Sequence, residues 1–297
     1  TDIHTNQINT ILLDIRLSRI CLAFLIGAIL AISGAVMQGL FRNPLAAPSL
    51  IGVSSGASVG ASIVIVLTGA WLQTNAVLGL SVVALGAFIG SFLITILVFR
   101  LSTSTLGTSV TTMLLAGIAI SALGGAVNSL LSYFADNEML RQISIWQMGN
   151  LSTANWARVS VVAVVAVFVL VLFPRESKSL NALLLGESEA RHLGIDVQRV
   201  KKKLILLTTL GIGTAVAVAG MIGFVGLIVP HIVRLLIGPD HRWLLPVSAL
   251  AGGILLLIAD TLARVIIAPV ELPTGILTAI LGAPFFIMLL IQQRREF

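Results

Sequence analysis

Long uncharged runs alternate with short polar breaks along most of the chain, and that rhythm predicts helices. From Ile20 to Phe41 there is no charged residue; Arg42-Asn43-Pro44 then turns the chain, and a second apolar run follows. About 20 apolar residues suffice for a helix to cross roughly 30 Å of hydrocarbon. By that measure the sequence predicts nine spans, near 18–40, 47–70, 76–99, 110–134, 154–173, 204–220, 224–238, 243–267 and 275–293. The run at 224–238 is short and holds Pro230, so it is expected to be tilted or broken.

Composition agrees with the pattern. Of the 297 residues 57% are hydrophobic and 10% charged, against about 25% charged in soluble domains. The expected class is an all-α integral membrane protein, a polytopic helical bundle forming a single transmembrane domain over residues 1–297. The net charge of +6 does not point to nucleic acid, because no basic stripe is interleaved with aromatics. In a membrane protein such residues mark cytoplasmic loops. The lone Cys21 excludes disulfides and cysteine metal sites and reads as a small packing residue.

Lysine and arginine also predict orientation. With a cytoplasmic C-terminus, the inner side holds Arg42, Arg100, Arg175, Lys178, Arg191, Arg199, Lys201, Lys202, Lys203, Arg234, Arg242, Arg294 and Arg295. That is thirteen of the 18 basic residues. Arg16, Arg19, Arg141, Arg158 and Arg264 stay outside, as the positive-inside rule favours. Nine spans then put Thr1 outside, although residues 1–15 carry no signal-peptide pattern. A first span ahead of Thr1, making ten, is the expectation.

Small residues mark close helix contacts. Gly52, Gly56 and Gly60 form overlapping G-x-x-x-G repeats, and Gly86 with Gly90 repeats the spacing. Gly220, Gly223 and Gly226 ahead of Pro230 suggest an interrupted helix, tolerated where protein or a cavity covers the freed backbone; it fits a packing kink or, as the alternative, a channel lining.

Residues able to carry chemistry are few. No G-x-x-x-x-G-K-[ST] occurs, so the chain has no P-loop for ATP. There is no H-E-x-x-H, no His/Cys cluster and no G-x-S-x-G. His192 and His241 fall in expected cytoplasmic loops and His4 outside. His231, at membrane depth after Pro230, is expected to be a hydrogen-bonded structural residue, with contact to a haem or a metal chelate as the alternative. Asp260 and Arg264, four apart on one helix face, are expected to form a local ion pair. Residues 175–203, RESKSLNALLLGESEARHLGIDVQRVKKK, form the one substantial polar segment. Leu180, Leu183, Leu184 and Leu185 give it an apolar face, Gly186 breaks it, and Glu187, Glu189 and Arg191 follow on a second short helix ending at Gly194. Docking to a soluble partner and an ordinary solvated connector fit this composition equally.

The sequence resembles the permease subunits of binding-protein-dependent importers for iron-siderophore, haem and vitamin B12, the FecCD-like family. The resemblance lies in RLSR at 16–19, SGAVMQGLFRNPLAAPSLIGVSSGA at 33–57, MLLAG at 113–117 and NALLLGESEARHLGI at 181–195. It continues in GMIGFVGLIVPHIVR at 220–234, GPDHRWLLP at 238–246, IADTLAR at 258–264 and ELPTGILTAILGAPFF at 271–286. One departure is Ser18, where relatives commonly carry proline. The resemblance implies a type II ABC importer permease in the bacterial inner membrane, a homodimer with two cytoplasmic ATPase subunits and a periplasmic binding protein. ATP and Mg would sit on the ATPase, and this chain would bind no cofactor. It implies that Arg16, Arg19 and Arg264 meet acidic residues of the binding protein. It also makes Leu184, Gly186, Glu187, Glu189, Arg191 and Gly194 part of coupling helices seated on the ATPase, and aligns Ser109, Val110 and Thr111 with a cytoplasmic gate. The segment YFADNEMLRQISIWQMGNLS at 133–152 and GPDHRWLLP resemble the haem branch, with ferric siderophore or B12 as alternatives. A rival of another class is an ion-coupled carrier using Asp260. A membrane enzyme finds no nucleophile–base or metal constellation.

Overall fold

A computed structural model describes residues 7–74, 76–105 and 107–293. Thr1, His4, Arg294 and Arg295, to which the sequence reading assigns sides, lie outside these residues. A π-helical turn at Thr10–Leu17 leads into α1 (Ser18–Phe41). After a 3-10 turn at Pro48–Ile51 come α2 (Val53–Thr74) and α3 (Ala76–Leu101). A small antiparallel hairpin of β1 (Thr103–Ser104) and β2 (Gly107–Thr108) precedes α4 (Val110–Phe134) and α5 (Asn137–Gln147). Then follow α6 (Trp156–Arg175), α7 (Ser177–Leu185), α8 (Glu187–His192), α9 (Val197–Ala219), α10 (Val225–Ile237), α11 (His241–Val265) and α12 (Thr274–Gln293).

Local chemistry sets the element ends. Arg42 closes α1 in the left-handed region at φ 50°, its N–H reaching the carbonyls of Gln38 and Gly39, and Pro44 follows. Ser109, Asp136, Asn155, Asp196 and Asp240 cap α4, α5, α6, α9 and α11, each side chain accepting a backbone N–H of the first turn. Such caps satisfy donors that the helix itself leaves unpaired.

Among the described residues six helices are long and apolar enough to cross a membrane: Gln7–Phe41, Gly79–Leu101, Val110–Phe134, Trp156–Arg175, Val197–Ala219 and His241–Val265. Shorter apolar helices at Val53–Gly69, Val225–Ile237 and Thr274–Met288 fall on the other three expected spans. α10, with 13 residues, is about 20 Å long at 1.5 Å per residue, too short to cross alone. It begins beside the middle of α1, where Gly226 meets Leu30 and Gly34. The chain between α9 and α10 is non-helical from Gly220 to Phe224 and partly buried. Phe224 adopts φ 66° and lays its ring on Gly282 of α12. The glycine cluster therefore marks a real interruption, covered by protein.

α1 is the central helix, buried along nearly its whole length and packed by α6, α9, α10 and α11. α2 pairs with α3 and α4, and α9 joins both groups through α1 and α3. Glycine seats set the closest crossings. A Cβ at Gly34 would collide with the Gly226 carbonyl, one at Gly27 with the Gly252 carbonyl, and ones at Gly56 and Gly60 with the Gly90 and Gly86 carbonyls. Without a hydrophobic drive between helices in lipid, such close packing supplies the association.

Candidate functional site

α1 and α11 run antiparallel, so their ends define two polar zones. At the first, the Asp260 carboxylate of α11 is 1% exposed. Arg19 of α1 grips it with Nε at 2.9 and 3.1 Å and Nη2 at 2.9 Å, while Nη1 reaches Glu271 at 2.8 Å. Thr274 Oγ1 donates to Asp260 at 3.0 Å. Arg264 Nε lies 3.4 Å from its carboxylate, so the expected local pair exists but is secondary. A fully buried carboxylate needs several donors, and the planar fork of Arg19 supplies the bidentate set. Arg19 itself is 8% exposed. The structure therefore shows Arg19, expected as a docking arginine, paired within the chain to Asp260 and Glu271. Arg16 is exposed and carries no ion pair among the described residues, and Arg264 is partly exposed. Asp260 is thus ringed by two arginines and a threonine.

A cavity of about 310 Å³ lies near the same end, between α3, α5, α6 and α9. Its walls include Leu80, Val83, Trp146, Asn150 and Thr153, and Arg158 is the charged residue that lines it. Arg158 donates to Thr153 Oγ1 and to the Val218 carbonyl.

The opposite zone carries α7 and α8. Leu180 and Leu183 are buried against the bundle, as is Ala190 of α8. Leu184 and Leu185, by contrast, are exposed, as are Glu189, Arg191, Leu193 and Gly194. The leucines thus divide between two faces rather than forming one. Gly186, at φ 138°, makes the sharp turn between the two helices. Glu187 turns inward: its Oε1 lies 2.6 Å from Nζ of the buried Lys201, and its Oε2 3.9 Å from Arg191.

α7 is bolted to α11 by a polar cluster that the sequence reading does not identify. Asn181 Oδ1 accepts the backbone N–H of His241 at 2.9 Å and lies 2.8 Å from its Nδ1, and Asn181 Nδ2 donates to Asp240 at 2.6 Å. Hydrogen bonds from the Arg242 N–H and from Asn181 hold the Asp240 carboxyl below its usual range. His241 is completely buried, which corrects its placement in a loop: Asp240 caps α11 and makes His241 its first residue. His231 also departs from expectation. Its Nδ1 has no hydrogen-bond partner among the described residues, and its ring packs edge-on against Phe285 with centroids 6.3 Å apart.

Ser109, Val110 and Thr111 begin α4 at this same end. Ser109 caps the helix and donates its N–H to the Ser102 carbonyl at 2.9 Å. Among the described residues no three His, Cys, Asp or Glu side chains group as metal ligands do.

Comparison with known proteins places relatives beside this architecture. The model of the FecCD transport family matches residues 2–292. The hemin transport system permease protein HmuU of Yersinia pestis is 48% identical over 284 residues, covering 96% of this chain and 84% of that protein. The cobalamin import system permease protein BtuC of Halobacterium salinarum is 47% identical, covering 93% and 72%. A solved inward-facing metal-chelate type ABC transporter superposes with a TM-score of 0.86 at 36% identity, over 96% of this chain and 88% of that one. A family match of this extent, with relatives near half identical, makes the chain a member of the FecCD transport family.

Proposed function

We propose that this chain is the membrane-spanning permease of an ABC importer that carries haem into the cell. The observation behind the reading is the exposed α7–α8 pair, standing on a chain that has no P-loop of its own. A surface of apolar, acidic and basic side chains on two short helices suits a cleft on a separate ATPase, where ATP and Mg would bind. The whole chain is one permease domain; its nine apolar segments lie in the membrane, the short α10 together with the non-helical 220–224 stretch, and a pair of chains with two ATPases encloses the path. The zone of α7 and α8 faces the cytoplasm, in keeping with the excess of Lys and Arg there. Arg16 and Arg264, at the opposite end, receive acidic groups of a periplasmic binding protein; Arg19 holds α1 and α11 beneath them. Ser109, Val110 and Thr111 sit where a gate could close the cytoplasmic side. Haem as cargo draws support from the resemblance of residues 133–152 and 238–246 to the haem branch and from the hemin permease relative.

The test is uptake into liposomes holding the permease and its ATPase, supplied with the binding protein and ATP. Haem should accumulate inside. Accumulation of ferric siderophore without haem would overturn the cargo, and uptake driven by a proton gradient with no ATPase would overturn the class.

A further inference from the structure

Lys201 opens a run of three lysines that the sequence presents as a solvated basic patch, yet it is 1% exposed. An ammonium is buried only where a carboxylate meets its charge and acceptors meet its N–H groups. Two elements far apart in sequence meet those needs. Glu187 Oε1 of α8 lies 2.6 Å from Nζ, and the Thr108 carbonyl of β2 accepts at 2.8 Å. One turn earlier on α9, Gln198 Oε1 accepts the Thr108 N–H at 2.9 Å. Both backbone polar groups of Thr108 are thereby held by α9.

The hairpin sits directly on these side chains. A Cβ at Gly107 would lie 2.5 Å from Gln198 Nε2, and its φ of 113° independently favours glycine. Thr108 leads into Ser109, the cap of α4. On the other side, Glu187 pairs with Arg191, whose side chain is 59% exposed on the surface of α8. A polar chain therefore runs from the outer face of α8, through Glu187 and Lys201, to the residue before Ser109. Its directionality matters. Apolar contacts tolerate sliding because the hydrophobic effect has no direction, whereas hydrogen bonds weaken steeply once bent or stretched.

We propose that Lys201, with Gln198, is a positioning residue that makes α8 and the 103–108 hairpin move as one piece. Displacement of α8 by a partner is thereby delivered to Ser109–Thr111 and to α4. The proposal rests on reading α7–α8 as the ATPase-docking surface.

The first test reconstitutes Lys201→Met permease with its ATPase and binding protein in liposomes. Transport per ATP hydrolysed should fall about tenfold, within the range of couplings between distinct sites, while the ATPase still co-purifies. Unchanged transport per ATP overturns the link, as does loss of ATPase binding by a folded variant, since Lys201 would then only shape the docking surface. A wild-type chain that neither binds the ATPase nor transports would instead refute the importer reading. The second test needs no change at Lys201. Spin labels at Thr105→Cys and Ser188→Cys, in a Cys21→Ala background, report the hairpin–α8 distance. It should stay constant between nucleotide-free and ATP-bound complexes; a change above about 2 Å, the scale of helix shifts in switching proteins, overturns the proposal.

Discussion

Replacing Arg19 by methionine should be among the most damaging single changes at its end of the bundle. Methionine approximates the arginine stem but removes the donors to Asp260 and Glu271. Asp260 would keep Thr274 at 3.0 Å and Arg264 at 3.4 Å, too few for a carboxylate 1% exposed. Removing one partner of a buried ion pair costs about 3–5 kcal/mol. The contact to Glu271, whose side chain is 44% exposed, adds at most about 1 kcal/mol. At about 2–4 °C per kcal/mol for a large chain, thermal unfolding in detergent should fall by roughly 10 °C. Arg16→Met, at an exposed site with no ion pair among the described residues, should shift stability by no more than about 0.5 kcal/mol. The double variant Arg19→Met/Asp260→Leu should recover most of the loss, because apolar replacement of both partners removes the stranded charge. If Arg19→Met proves as mild as Arg16→Met, the bridge does not hold α1 to α11.

Two further outcomes follow from the packing and the charges. Gly60→Val must push α3 away from α2 and should cost about 1–3 kcal/mol or more by overpacking. Gly125→Ala, where a Cβ would meet nothing within 4 Å, should gain up to about 1 kcal/mol from helix propensity; equal melting temperatures for the two would refute the glycine seat. Arg16→Ala combined with Arg264→Gln should weaken capture of the binding protein about tenfold at low salt and less at high salt, as screened charge pairs do. Affinity unchanged in a binding-kinetics measurement would remove both arginines from the docking surface.

The sequence foretells most helices because charged breaks and capping residues bracket long apolar runs. α1, α4 and α6 end within about two residues of expectation. What escapes is what distance in the chain conceals. Arg19 reads as a flanking charge, since its partner Asp260 lies 241 residues away and no periodicity links them. Lys201 looks like its neighbours Lys202 and Lys203 until the helical phase of α9 turns it inward. His241 is misplaced by two residues of boundary error, although Asp240, a helix cap by residue type, carries the signal. α5, a short helix of mixed polarity, and the hairpin of threonine, serine and glycine lack an apolar run to announce them. The glycine spacing of α2 and α3 is legible in advance, and the structure supplies its meaning by pairing one repeat with the other.

The glycine seats also divide the molecule mechanically. Through Gly27–Gly252 and Gly34–Gly226, α1, α10 and α11 touch backbone to backbone; through Gly56–Gly90, Gly60–Gly86 and Gly117 against the Leu50 carbonyl, so do α2, α3, α4 and the turn at 48–51. Interfaces of that closeness cannot creep by the 1.5 Å rise of one residue without collision, so each trio behaves as a solid. Between the trios, α9 makes contact through side chains, Gly211 facing Ile29 and Val169, Gly213 facing Ser91 and Phe88. Side chains can change rotamer where carbonyls cannot move aside. α9 thus meets each rigid group through interdigitating side chains, the softer of the two kinds of contact.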